Sequence, residues 1–184
     1  TWSWGTYLGD EAVKSGARVI TSSWRRSPPD VLPTKAKVGG NYVNSVLANM
    51  EARAQGYYEA ILLDHQGFVA EGSGENLFVI RDGVLFPVVH SVNLRGITRD
   101  SVMQIAEANG LAVRESAMTR DELYTADELF MVGTAAEVTP ISEVDRRAIG
   151  SGQAGPITLQ LREAYLNAVH GRDERFADWL TPAQ

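Results

Sequence analysis

Residues 71–78 read EGSGENLF, a glycine-rich turn that carries two carboxylates between two apolar runs. The run Phe68 to Glu71 precedes this turn and the run Asn76 to Arg81 follows it, and both predict strands. Because Glu71 ends an apolar strand, we expect it to be partly buried and to need a partner, for which a protonated heterocyclic nitrogen is suitable. An ordinary polar hairpin loop is the alternative interpretation.

Further strands are predicted on both sides of this turn. Asp82-Gly83 joins two apolar runs and is a strong signal of a tight hairpin. The β-branched, aromatic or apolar character of other segments predicts strands at Arg18 to Trp24, Glu59 to Asp64, Val84 to Val89, Leu111 to Ala117 and Glu128 to Gly133, with a small hairpin at Val144 to Ile149.

Helices are predicted between these strands. After Gly39-Gly40 a helical period begins, and Thr98 is the predicted N-cap of a helix that runs to Ala108. Thr119 and Glu122 have the spacing of a capping box, and Pro156 opens a final helix to about Val169. The apolar residues of the first helix share one face: Val43, Val46, Leu47, Met50 and Ala54. Hairpins mixed with helices indicate the α+β class.

The composition excludes several classes of function. The 184 residues carry 17 Lys plus Arg against 23 Asp plus Glu, a formal net charge of −6, which argues against a nucleic-acid partner. There is no cysteine, so disulfides, thiolate metal sites and a cysteine nucleophile are excluded, and the three histidines lack metal-ligand spacing. No apolar run approaches the ~20 residues of a membrane helix.

A pair of lysines stands at the start of the first predicted helix. Lys35 and Lys37 lie in the run PTKAKVGGNY at residues 33–42. The positive end of a helix lowers the pKa of a nearby amine and favours the neutral nucleophile that Schiff-base chemistry needs. Taken alone, two solvated loop lysines remain the commoner explanation.

Two other segments suit an anionic ligand. Gly96-Ile97-Thr98 leads into a helix, where free N–H groups and a hydroxyl make a natural phosphate cradle. Thr134, in the run GTAAEVTP at residues 133–140, could supply a second phosphate contact. A plain N-cap and a tight strand exit are the structural alternatives.

Together, these four segments in this order resemble the fold-type IV aminotransferases, and most closely the bacterial branched-chain amino-acid aminotransferases. The resemblance runs from about Tyr7 to Trp179. It implies a barrel-like sheet core of mixed strands surrounded by helices. It also implies pyridoxal 5′-phosphate as cofactor, held as a Schiff base on Lys37 rather than on Lys35.

The resemblance implies a role for each matching residue. Lys37 is the catalytic residue and moves the substrate proton, Glu71 pairs with the pyridine nitrogen, and Tyr42 bonds to the phenolic oxygen. Thr134 meets the phosphate, and Thr134 with Ala135 meets the substrate carboxylate. The remaining expected cofactor-binding residues are Asn76, Leu94, Gly96, Ile97 and Thr98.

Two departures from the family pattern stand out. The stretch Phe86 to Arg95, which includes His90, fits poorly and is about one residue short. The family's smaller N-terminal domain, which supplies a phosphate-binding arginine and much of the substrate pocket, is missing. We therefore expect residues 1–184 to be a single cofactor-binding large domain, inactive in isolation, with residues 1–30 as a lead-in from that absent domain.

The implied activity is transamination of leucine, isoleucine and valine with 2-oxoglutarate in branched-chain amino-acid biosynthesis. The expected enzyme is a cytoplasmic homo-oligomer with small-molecule substrates and no nucleic-acid or membrane partner. A pyridoxal-phosphate lyase such as aminodeoxychorismate lyase, a D-amino-acid aminotransferase, and a non-catalytic module of the same fold are the alternatives.

Overall fold

The computed structural model describes residues 10–89 and 91–181, so the first nine residues and His90 lie outside the described part. The helices are α1 (Asp10–Ser15), α2 (Tyr42–Ala54), α3 (Ile97–Ala108), α4 (Arg120–Tyr124) and α5 (Pro156–Val169). The strands are β1 (Ala17–Arg25), β2 (Glu59–Leu63), β3 (Val69–Gly72), β4 (Asn76–Arg81), β5 (Val84–Pro87), β6 (Glu128–Gly133), β7 (Glu137–Val144) and β8 (Arg147–Ala148).

Within the described residues the strands form one mixed sheet of eight. Its order is β3-β2-β1-β7-β6-β4-β5, with β8 paired to β7. Strand β1 runs parallel to both of its neighbours, β2 and β7, whereas the other pairs are antiparallel. The strand predicted at Arg18 to Trp24 is therefore confirmed, and it lies in the middle of the sheet. Strand β1 lies within residues 1–30, the segment that was predicted to be a lead-in from another domain. That origin of residues 1–30 stays a prediction.

The sheet curls around an inner core. Alternation along β4 sends Leu77 and Val79 into this core and sends Phe78 and Ile80 to the outer face. Val69 of β3, at the opposite end of the strand order, packs in the same inner core as Leu77 and Val79. Strands from both ends of the sheet thus meet on its concave side, which is the barrel-like core that the family resemblance implied.

Helices cover the outer face. Val102, Ile105 and Ala106 of α3 are buried together with Phe130 of β6 and Leu161 of α5. This burial packs one face of α3 against the outer side of the sheet. The capping box of Thr119 and Glu122 is also present, and α5 spans the predicted residues.

The predicted apolar face of α2 is turned the wrong way. Ser45, Ala48 and Ala52 pack against the sheet, whereas Val43 is 65% exposed and Met50 is 62% exposed. Small side chains let the helix backbone lie close to β1 and β2, so the sheet selects the small-residue face. Periodicity located the helix but did not determine which face is buried.

Two other local expectations were wrong. Gly96, not Thr98, is the N-cap of α3, and Thr98 is buried in the first helical turn. The segment Leu111 to Ala117 forms isolated bridges beside β5 at Val113 and Ser116 and is not a regular strand.

Turn geometry agrees with the sequence where glycine is needed. Asp82 and Gly83 adopt φ of 51° and 71°, as a two-residue hairpin with left-handed central residues requires. This hairpin joins β4 to β5 with Arg81 opposite Val84.

Candidate active site

Two adjoining cavities bring the predicted site residues together. The first, which we call the inner cavity, has a volume of about 30 Å³ and is lined by Lys37, Tyr42, Glu71, Asn76 and Leu94, among others. The second, the outer cavity, has a volume of about 290 Å³. Its lining shares Lys37, Asn76 and Leu94 with the inner cavity and adds Gly96, Ile97, Thr98 and Thr134. Ala135 is exposed beside Thr134 in the β6–β7 turn, outside the lining of either cavity.

The two lysines of the PTKAKVGGNY run occupy different positions. Lys37 lines both cavities and shares the lining of the inner one with Glu71 and Tyr42. Lys35 lines the outer cavity, where its Nζ donates a hydrogen bond of 2.7 Å to the carbonyl oxygen of Asn93. Burial, followed by repulsion from Arg95, lowers the pKa of the Lys35 ammonium. The expected direction of the shift is thus found at Lys35, but its causes are burial and Arg95 and not the positive end of the helix.

Glu71 is buried, as its place at the end of a strand suggested, and it is held by protein groups. Its carboxylate accepts hydrogen bonds of 3.0 Å from Asn76 Nδ2 and 3.0 Å from the backbone N–H of Leu94, and forms an ion pair with Arg26. Burial raises the pKa of Glu71, while Arg26, the Leu94 N–H and Lys35 oppose that rise. Arg26 is therefore the principal group that favours the ionised carboxylate.

Asn76 links Glu71 to the start of α3. Its Nδ2 also donates a hydrogen bond of 3.0 Å to the Leu94 carbonyl oxygen. A Cβ atom at Gly96 would collide with Asn76 Oδ1, so a larger residue at this N-cap would have to displace the Asn76 amide. The loop before α3 is thereby fixed against the strand that carries Asn76.

The first turn of α3 faces the outer cavity with its backbone. Gly96, Ile97 and Thr98 line this cavity, and the first N–H groups of a helix have no partner within the helix. The Thr98 hydroxyl is already hydrogen-bonded to Tyr165, and Thr98 is buried. The N–H groups, rather than this hydroxyl, are available to an anion.

Polar atoms in the inner cavity lack partners. Among the described residues, neither Thr34 Oγ1 nor Arg26 Nε has a hydrogen-bond partner, although both atoms are buried. Both residues line the inner cavity. Because buried polar groups are normally satisfied, these two atoms indicate that a polar molecule or water belongs there.

Comparisons with known proteins give the family. The sequence model described as "Amino-transferase class IV" matches residues 5–144. The chain belongs to the class IV aminotransferases. This assignment agrees with the family resemblance carried by the four motifs.

Relatives of this class IV aminotransferase include bacterial enzymes that share one name. The chain is 49% identical over 180 residues to the branched-chain-amino-acid aminotransferase of Pseudomonas aeruginosa, covering 98% of this chain and 59% of the relative. It is 48% identical over 178 residues to the enzyme of that name from Escherichia coli strain K12, covering 96% of this chain and 58% of the relative. The chain thus spans less than two thirds of the length of these relatives.

Solved structures share the fold of the class IV aminotransferase chain. A branched-chain amino acid aminotransferase from T.th., with pyridoxamine 5′-phosphate, matches with a TM-score of 0.94 and 64% identity, over 98% of this chain and 59% of that one. The same enzyme complexed with N-(5′-phosphopyridoxyl)-L-glutamate matches with a TM-score of 0.93 and 61% identity, over 98% and 58%. The fold-type IV architecture is therefore established.

Some residues of the site carried no signal in the sequence. Arg26 lies in the loop after β1, and nothing in its spacing connects it with Glu71, 45 positions later. Thr34 and Glu75 stand inside the recognised motifs, but their types alone suggest no contact with the cavity. The described residues hold no cluster of three or more potential metal ligands, and no helix among them is long and apolar enough to span a membrane.

Proposed function

We propose that this chain forms the cofactor-binding part of an enzyme that transfers amino groups between branched-chain L-amino acids and 2-oxoglutarate, with pyridoxal 5′-phosphate bound to Lys37. The observation that carries this proposal is the position of Lys37, which shares the lining of the inner cavity with Glu71 and Tyr42 and that of the outer one with the α3 N-terminus. The names of the relatives support the substrate class.

The residues present fit the chemical groups of this cofactor. A buried carboxylate suits a protonated pyridine nitrogen, a tyrosine hydroxyl suits a phenolic oxygen, and helix N–H groups suit a phosphate. The unsatisfied buried atoms Thr34 Oγ1 and Arg26 Nε support a polar occupant of the inner cavity. When bound, the cofactor supplies an electron sink for the carbanion that forms at the substrate α-carbon.

Lys37 performs the proton transfer in this proposal. Its amine, released when the substrate amine replaces it on the cofactor, would take the proton from the substrate α-carbon as general base and would then give a proton back as general acid. Lys37 is exposed, and the next residue, Val38, is 46% exposed. The amine of Lys37 therefore has room to move between the two proton transfers. Lys35 is held by the Asn93 carbonyl oxygen and serves in the wall of the outer cavity.

Glu71 and Tyr42 hold the ring. Glu71 as a carboxylate keeps a proton on the ring nitrogen, and Arg26 preserves the negative charge that this requires. Tyr42, the first residue of α2, lines the same cavity and is assigned to the phenolic oxygen of the cofactor. Asn76 and Leu94 fix Glu71 and the loop beside the ring.

The phosphate and the substrate carboxylate are assigned to two backbone turns. The N–H groups of Ile97 and Thr98 hold the phosphate, with Gly96 allowing the close approach to Asn76. Thr134 adds a hydroxyl from the β6–β7 turn. Thr134 and Ala135, which are both exposed, are assigned together to the substrate carboxylate.

The substrate test compares amino donors. In the whole enzyme of which this chain forms part, glutamate formation from 2-oxoglutarate should occur with L-leucine, L-isoleucine and L-valine. It should be abolished by Lys37→Ala, because that substitution removes the only amine we assign to proton transfer. Activity with D-amino acids instead would indicate a D-amino-acid aminotransferase. Pyruvate release from aminodeoxychorismate without transamination would indicate the lyase.

We further propose a homo-oligomer that works in the cytoplasm. The outer face of α2 supports the oligomer, since Val43, Val46 and Met50 are each more than half exposed. Sedimentation velocity of the wild type and of Val46→Glu tests this: the charged variant should shift towards the monomer. An unchanged distribution would exclude this face as the interface.

A further inference from the structure

Glu75 is a second buried carboxyl group of the inner cavity, to which the proposed function gives no role. It lies in the same turn as Glu71 and Asn76 and is 4% exposed. Its Oε2 atom accepts a hydrogen bond of 3.1 Å from the backbone N–H of Gly74.

The side chain of Glu75 is packed between two glycines. A Cβ atom at Gly72 would lie 2.6 Å from Glu75 Oε2, and one at Gly133 would lie 3.7 Å from Glu75 Cγ. The Gly72 N–H also donates a hydrogen bond of 2.7 Å to the Glu75 carbonyl oxygen, which closes the turn. The carboxyl group therefore occupies the space of a side chain at Gly72 and belongs to the packing of the turn.

The surrounding charges disfavour a second carboxylate at this position. Glu59 of β2 and Glu71 of β3 both face Glu75 and repel its negative charge, and Arg53 of α2 attracts it. Lys37 lines the same cavity, and so does Arg26, which is already paired with Glu71.

Hydrogen bonding distinguishes Glu75 from its neighbour Glu59. Glu59 accepts hydrogen bonds of 2.9 Å from Asn49 Nδ2 and 2.6 Å from the Ala60 N–H, so its negative charge is stabilised. Among the described residues, the Gly74 N–H is the single donor to the Glu75 carboxyl group. If one of the neighbouring carboxyl groups of Glu59, Glu71 and Glu75 carries a proton, Glu75 is therefore the most favourable site for it.

We propose that Glu75 is a positioning residue that acts as a neutral carboxylic acid and holds the turn from which Glu71 and Asn76 face the cofactor site. Burial, followed by repulsion from Glu59, raises the pKa of Glu75 to about 8, so the neutral form prevails at pH 7. Ionisation at higher pH places a new charge beside Glu71 and shifts Asn76. The link to cofactor binding rests on the proposed function.

The test is a titration by nuclear magnetic resonance that needs no cofactor. The protein is labelled with ¹³C-glutamate, and the Glu75 carboxyl signal is assigned as the one that is lost in Glu75→Gln. In the wild type, the titration midpoint of this signal should lie at about 8. The side-chain amide signals of Asn76 should move with the same midpoint in the wild type and stay still in Glu75→Gln. Glu59→Gln, which removes the repelling charge, should lower the midpoint by about one pH unit.

Each result bears on the proposal directly. A carboxyl midpoint near the ordinary 4.5 would overturn it, and so would an Asn76 amide that does not respond to pH between 6 and 10 in the wild type. The wild-type titration decides even if a variant fails to fold. Absence of any spectral change on adding pyridoxal phosphate at pH 7 would instead refute the proposed function and leave the Glu75 midpoint unaffected.

Discussion

Asn76 donates a hydrogen bond of 3.0 Å to Glu71, so the residues at the two ends of the glycine-rich turn are joined directly. The same amide group reaches the Leu94 carbonyl oxygen, and its Oδ1 atom fills the space beside Gly96. One side chain thereby sets the position of the proposed ring-binding carboxylate relative to the proposed phosphate-binding helix.

Gly96→Ala should weaken cofactor binding through Asn76. A Cβ atom at this position collides with Asn76 Oδ1 and forces the amide away from Glu71. We expect the dissociation constant of pyridoxal phosphate to rise about tenfold, or about 1.4 kcal/mol, measured by absorbance titration. Gly40→Ala is the matched control, because a Cβ atom there meets nothing within 4 Å. Equal affinities for the two variants would contradict the account.

Arg26→Met should make cofactor binding depend on pH in a new range. Burial raises the pKa of Glu71, and the charge of Arg26 opposes that rise. Removing Arg26 should therefore raise the pKa of Glu71 further. An acid with a raised pKa is ionised only at higher pH, and the cofactor affinity of the variant should therefore recover as the pH increases. On the acidic side of the profile of cofactor affinity against pH, which we call the acidic limb, we expect the midpoint to move up by about 1–3 pH units. Absorbance titrations between pH 5 and 9 measure this shift.

Arg26→Lys separates charge from geometry in this experiment. It retains the positive charge and should shift the acidic limb less than Arg26→Met does. If the affinity profiles of Arg26→Met and the wild type coincide, Arg26 does not control the ionisation of Glu71.

Asp145→Asn should destabilise the fold away from the active site. Asp145 accepts hydrogen bonds of 2.7 Å from the Thr21 N–H, 2.7 Å from the Tyr124 hydroxyl and 2.9 Å from Arg120 Nε. Its φ of 53° is tolerated by asparagine, so the variant changes charge and hydrogen bonding without new backbone strain. Near pH 7 we expect the free energy of unfolding to fall by about 1–3 kcal/mol, measured by urea denaturation.

The pH dependence of this loss has a definite sign. Burial acts to raise the pKa of Asp145, but the hydrogen bonds from Thr21, Tyr124 and Arg120 outweigh it and hold the pKa below the ordinary 3.8. The unfolded chain thus takes up the proton first, and the stabilisation by the carboxylate is lost as the pH falls through the lowered folded value. The difference between Asp145→Asn and wild type should shrink in acid. The exposed Arg18–Glu143 pair provides the control, and Glu143→Gln should cost less than about 1 kcal/mol.

The strands and turns were predicted well from short stretches of sequence, because their formation depends mainly on residues that are neighbours in the chain. Asp82-Gly83 requires only its own left-handed backbone, and the Thr119–Glu122 capping box closes within one turn. The prediction of which face of α2 is buried was wrong, because burial depends on which residues let the helix approach the sheet. The small Ser45 and Ala48 allow the closest packing.

The candidate site was predicted where its residues lie within motifs, and missed where they are brought together by the fold. Lys37, Tyr42 and Glu71 belong to recognisable runs and line one cavity, although their roles stay proposals. Arg26 reaches Glu71 only because β1 and β2 are parallel neighbours and β2 pairs with β3. No spacing in the sequence encodes that arrangement.

The central claim is that Lys37 binds the cofactor, and the most direct test combines absorbance with chemical trapping. The protein is mixed with pyridoxal phosphate, its spectrum is recorded, and borohydride is added to make the lysine–cofactor bond permanent before peptide sequencing by mass spectrometry. If Lys37 binds the cofactor, a new absorbance band should appear and Lys37 should carry the label, which should be lost in Lys37→Ala and kept in Lys35→Ala. A label on Lys35, or no labelled lysine at all, would contradict it.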